Sequence, residues 1–116
     1  MTSPTLFHNP RCSKSRQALA LLRERGVEPD LVLYLETPPS AAEIERLLRR
    51  LNLAPRELMR RDEPEYRTLG LDDPALDRAA LIEALAAHPR LIQRPILVNG
   101  GRAAIGRPPE AVLEIL

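Results

Sequence analysis

Cysteine is almost missing from this chain: Cys12 is the single cysteine in 116 residues. One thiol rules out an internal disulfide and a four-ligand structural zinc site, and no metal is expected. Aromatic residues make up only 3% and tryptophan is absent, so the core has to be aliphatic. Lysine is nearly absent as well, Lys14 being the only one among 17 basic residues. A net charge of +1 leaves no general field for nucleic acid, so any basic function must be local. No apolar run approaches the roughly 18 residues of a membrane-spanning helix, and the N-terminus lacks the apolar stretch of a secretory leader. Neither a nucleic-acid nor a membrane partner is expected. The reading is of a cytoplasmic protein whose thiol stays reduced.

What is present has a clear order. Thr5-Leu6-Phe7-His8 is β-prone and is stopped by Asn9-Pro10. Apolar residues at helical spacing follow from about Ser13 to Arg25, closed by Gly26. Leu31 to Leu35 is a continuous apolar run, which predicts a buried strand. Ser40-Ala41-Ala42-Glu43 reads as a capping box before a stripe of Ile44, Leu47, Leu48 and Leu51. Short helices are expected over Pro55–Arg60 and Pro64–Leu71, and a longer one over Ala79–Ala87 with Asp77 as its N-cap. Pro95 to Val98 and Arg102 to Ile105 read as a hairpin joined by Asn99-Gly100, a type I′ signal. Pro108-Pro109 opens a last helix. The order is βαβ, inserted helices, then ββα: an α/β chain with a small mixed sheet in thioredoxin-like order. Residues 1–116 read as one such domain, carrying an inserted helical segment at about 41–87.

Cys12 stands in the loop between the first strand and first helix, at the end of a βαβ unit where α/β sheets place their ligands. A thiol is a nucleophile only as thiolate, and a helix N-terminus with cations nearby stabilises that form. Arg11, Lys14 and Arg16 are the cations closest in sequence. Arg16 lies one helical turn beyond Cys12 on the same face. His8, at the strand end, either assists the thiolate or is a satisfied strand-end histidine; sequence leaves both open. Arg94 precedes Pro95 at a strand start. Arg107 follows Gly106, where glycine permits close backbone approach and arginine offers a planar fork for an oxyanion. Between Arg60 and Arg61, residue pattern alone does not choose.

His8-Asn9-Pro10, Cys12, Ser15-Arg16, Tyr34 to Pro39, Leu58-Met59-Arg60, His88-Pro89 with Ile92, Arg94-Pro95-Ile96 and Arg107-Pro108 together resemble the glutaredoxin-dependent arsenate reductase family. The resemblance runs from Leu6 to Leu116. It implies that Cys12 attacks arsenate and that Arg60, Arg94 and Arg107 hold the oxyanion. Arg60 is chosen because the family arginine follows an apolar pair, here Leu58-Met59. The resemblance also implies a cis Arg94-Pro95 bond and no bound cofactor. Glutathione would be the reducing co-substrate and glutaredoxin the protein partner, since a lone cysteine cannot resolve its own adduct. The same fold and loop occur in relatives with no settled substrate and in regulators that bind RNA polymerase. The alternative readings are therefore a thiol oxidoreductase of this fold acting on another substrate and a non-enzymatic RNA-polymerase-binding regulator. The regulators carry a second cysteine where Ser15 stands here.

Overall fold

The computed structural model describes residues 3–116. Strand β1 (Thr5–Phe7) leads into helix α1 (Ser13–Glu24), then β2 (Asp30–Val32). Helices α2 (Ala41–Leu51), α3 (Pro64–Thr68) and α4 (Arg78–Ala87) follow, with 3-10 turns at Pro55–Leu58 and Pro89–Leu91. Strands β3 (Ile96–Asn99) and β4 (Arg102–Ile105) and a 3-10 helix, Pro109–Ile115, complete the order. No helix among the described residues is long and apolar enough to cross a membrane.

Two compact units result. One runs up to Thr37 and resumes at Arg94–Leu116; the other is Pro38–Gln93. The first holds the sheet, ordered β2-β1-β3-β4. β1 pairs parallel with β2 and antiparallel with β3, which pairs antiparallel with β4. It is a mixed α/β unit of the kind the element order implies. Its core is Leu6, Ala18, Leu19, Leu22, Leu97 and Val112, all aliphatic. The apolar stripe of α1 therefore lies against the central strands, which fixes where the helix begins. Gly26 ends α1 in the left-handed region (φ +76°): its N–H reaches the Arg23 carbonyl, and the Val27 N–H reaches Leu22. That pair of bonds satisfies carbonyls the helix leaves open.

In the second unit α2 and α4 pack together, burying Ile44, Leu47 and Leu48 with Leu81, Ile82 and Leu85. Ser40 and Glu43 form the expected capping box, and the Asp77 carboxylate accepts the Ala80 N–H at 2.8 Å. Leu58 and Leu91, from the two 3-10 turns, are fully buried.

Three local expectations change. The run Leu31–Leu35 is not one buried strand: β2 ends at Val32, and Leu31 is 42% exposed. β2 is an edge strand, paired on one side only, and the Leu33 carbonyl turns the chain by accepting the N–H groups of Glu36 and Thr37. At the hairpin tip Asn99 pairs with Arg102, so Gly100-Gly101 are the central residues. Only Gly100 has positive φ (+63°), the pattern of a type II′ turn rather than I′. The closing helix is 3-10, with Pro108 at its N-cap and Pro109 as its first residue.

Candidate active site

Cys12 is the N-cap of α1, held at φ −95° and ψ 124°. Its loop is built on Asn9. The Asn9 carbonyl accepts the Cys12 N–H at 3.0 Å, and the Asn9 side chain accepts the Arg11 N–H at 3.0 Å. That places a half-buried sulfur where a capping oxygen would otherwise stand, facing the open amides of the first turn. Burial pushes the Cys12 thiol up. The Ser15 backbone N–H, the Arg94 guanidinium, the Lys14 backbone N–H and the Arg107 guanidinium more than offset it, so the thiol lies below its ordinary value. The side chains that sequence proximity points to, Arg11, Lys14 and Arg16, are not the cations that carry this effect. They stand next to Cys12 along the chain, whereas Arg94 and Arg107 are brought to it by the fold.

His8 follows β1, its N–H donating to the Val32 carbonyl, and it is buried at 5% exposure. Its Nδ1 lies 2.8 Å from the hydroxyl of Ser15, which also accepts the Asn9 N–H at 3.0 Å. Burial lowers the His8 pKa, and Arg23 and Arg16 lower it further, so the ring is neutral at pH 7. The network is then satisfied with Ser15 O–H donating to Nδ1 and the imidazole proton on Nε2. His8 thus joins the strand end to the first turn of α1 on either side of the cysteine loop. Arg16 is exposed, and its Nη1 donates to the Pro10 carbonyl at 3.0 Å, bracing the same loop.

Arg94 stands immediately before β3, and its bond to Pro95 is cis, as the resemblance implies. Its Nε and Nη1 are buried and have no hydrogen-bond partner among the described residues. Buried guanidinium N–H groups without acceptors are costly unless an anion meets them. Arg107 follows β4; its Nε donates to the Arg94 carbonyl at 3.0 Å, tying the two arginines together. A second cis bond, Arg107-Pro108, was not expected from sequence. Gly106 makes the approach possible: a Cβ there would lie 2.7 Å from Pro95 Cγ, and the Gly106 N–H donates to the Pro95 carbonyl.

Arg60 belongs to the second unit. Its backbone N–H donates to Leu91 at 2.6 Å, and its guanidinium pairs with Glu63. Arg61 is exposed. Among the described residues no group of three or more His, Cys, Asp or Glu could hold a metal ion. Sequence reasoning missed Ser15 and Asn9 as the loop's fixed points. Ser15 could have been noticed: it sits at the third helical position, where N-cap partners fall.

Comparison with known proteins agrees on kinship. The ArsC family model matches residues 7–115. An uncharacterised Escherichia coli protein, YfgD, is 55% identical over 96% of this chain and 94% of its own. An arsenate reductase of Neisseria meningitidis is 50% identical over 96% of both chains. The solved structure of an arsenate reductase from Vibrio cholerae superposes with a TM-score of 0.97 at 51% identity, covering 99% of this chain and 98% of that one.

Proposed function

Because the chain belongs to the ArsC family, we propose that it reduces arsenate to arsenite through Cys12, with glutathione and glutaredoxin as external reductants. The observation that carries this reading is a lowered thiol beside Arg94, whose buried N–H donors lack an acceptor. Arsenate is a tetrahedral oxyanion that repels a bare thiolate, so fixed cations must neutralise its charge as the nucleophile approaches. Guanidinium forks suit paired oxygens better than an ammonium does. Arg94 and Arg107 supply them here, and family resemblance adds Arg60.

The Cys12 thiolate forms an S–As bond and displaces a hydroxyl from arsenic, which leaves as water after protonation. A glutathione thiol displaces a second hydroxyl in the same way. A glutaredoxin thiolate then attacks the glutathione sulfur, forming a disulfide, breaking the S–As bond and leaving its electron pair on arsenic. As(V) becomes As(III), and hydrolysis at Cys12 releases arsenite and restores the thiol. No resident cofactor takes part. His8 and Ser15 hold the loop that presents the sulfur, and Arg16 braces it from outside.

The test is arsenite formation by the purified chain with arsenate, glutathione and glutaredoxin, each omitted in turn. Turnover that requires all three and is abolished by Cys12→Ser supports the reading. Turnover of a glutathione mixed disulfide with none of arsenate would instead identify an oxidoreductase for another substrate.

A further inference from the structure

Arg60 sits in a cluster of its own unit that the scheme above leaves unused. Its backbone is fixed by a short ladder: Arg60 N–H to the Leu91 carbonyl at 2.6 Å and Gln93 N–H to the Leu58 carbonyl at 2.9 Å. Between them Met59 bridges Ile92 antiparallel. The guanidinium is fixed separately. Its Nη1 donates to Glu63 Oε1, while Glu63 Oε2 lies 3.8 Å from Arg90 Nη2. Both partners are largely covered, the Arg60 side chain at 20% exposure and Glu63 at 12%. Glu63 is itself held, since its N–H donates to the Arg60 carbonyl at 3.2 Å and its own carbonyl accepts the Tyr66 N–H at 3.0 Å. Asp62 also approaches Arg60, at 3.8 Å, but is 79% exposed, where water screens the pair.

A long arginine that is free in solution must lose rotamer freedom when it grips an anion; one already held does not. A carboxylate on Nη1 fixes the plane of the guanidinium and leaves its Nε–H and other Nη hydrogens for a second acceptor. Arg90 lies 3.8 Å from the other carboxylate oxygen but is 68% exposed, so water screens it as it does Asp62, and Glu63 acts chiefly on Arg60. We propose that Glu63 is a positioning residue that pre-orients Arg60 for the oxyanion. This inference rests on the reading of Arg60 as a substrate-binding arginine.

Steady-state kinetics in arsenate, with saturating glutathione and glutaredoxin, test it on the full chain. The set is Arg60→Ala, Glu63→Ala, Glu63→Gln, the double variant Arg60→Ala/Glu63→Ala, and Asp62→Asn, each with a thermal melt. Glu63→Ala should raise KM about tenfold with kcat little changed, the scale of one charge-assisted hydrogen bond. Glu63→Gln keeps an oxygen that accepts from Nη1, so it should restore most of that loss. In the Arg60→Ala background Glu63→Ala should add nothing, because a positioning residue acts only through what it positions. Asp62→Asn should leave KM unchanged. An equal KM increase from Glu63→Ala with and without Arg60 overturns the inference, as does an unchanged KM where Arg60→Ala alone raises it. An Arg60→Ala variant with unchanged KM overturns the role of Arg60 itself, and the inference with it. Should Glu63→Ala melt below the assay temperature, Glu63→Met, which keeps the length of the side chain and loses its acceptor, closes the same cycle in both backgrounds.

Discussion

At the residue scale, the thiol and the histidine each respond to pH in a direction the geometry sets. Cys12 was legible in the sequence as a lone cysteine before a helix, and its helix-start position is what the fold provides. The cations acting on it were not legible from spacing, because Arg94 and Arg107 reach it only through the pairing of β1 with β3 and of β3 with β4. Alkylation rate against pH should show an inflection below about 8.5, the ordinary thiol value. Arg94→Ala should move that inflection up more than Arg107→Ala, following the order of their influence on the sulfur. An unshifted inflection in the parent chain sinks the argument. For His8 the folded state favours the neutral ring, so its pKa lies below the ordinary value of about 6.5. Unfolded chains then bind a proton that folded chains refuse. The stability His8 contributes is present above about 6.5 and is lost as pH falls through the folded value. Denaturant midpoints at pH 7 and 5.5 should therefore differ more in the parent chain than in His8→Gln. Equal differences would show that His8 is not the titrating group.

Among elements, those with strong local signals were readable. Ser40 with Glu43 and Asp77 with Ala80 form the caps that α2 and α4 require. Gly26 closes α1 because only a residue at ease with positive φ completes that ending. β2 was misjudged because an apolar run reports burial without reporting which sheet position buries it. As an edge strand it keeps Leu31 exposed, while Tyr34, within the turn that follows, is the residue that goes inside. Gly106 was legible as a place for close backbone approach, but that Pro95 at the start of β3 is what approaches it was not, because no local pattern pairs the two segments. Gly106→Ala would set a methyl 2.7 Å from Pro95 Cγ and 3.2 Å from Val112 Cγ1, neither a flexible chain end. It should destabilise the chain by about 1–3 kcal/mol, the usual cost of overpacking. Arg94 and Arg107 flank the displaced contact, so kcat/KM for arsenate should fall by more than the stability loss explains. A variant with unchanged melting and full turnover would mean that this contact relaxes freely.

For the whole molecule, the decisive fact is that one thiol stands beside two arginines, Arg94 and Arg107, drawn from separate segments. Composition alone made arginine count uninformative; only a motif-by-motif resemblance over most of the chain singled out Arg60, Arg94 and Arg107. Physical reasoning from sequence could not have joined Arg94 and Arg107 to Cys12, because no local rule links positions 94 and 107 to position 12. The single cysteine has a consequence for stoichiometry. Reducing As(V) to As(III) consumes an electron pair, and a lone thiol can supply one only by forming a disulfide with a second sulfur. Within one chain no second sulfur of that kind exists. Mixing excess protein with arsenate in the absence of other thiols should therefore give no arsenite. The Cys12→Ser chain should give none under any condition. With glutathione and reduced glutaredoxin present, each arsenite released should appear with one glutathione–glutaredoxin disulfide, countable by mass spectrometry. Arsenite formed by the protein alone would require Cys12 of one molecule to oxidise with Cys12 of another. A covalent dimer on a non-reducing gel would report that route, and its appearance in step with arsenite would replace the external-thiol scheme.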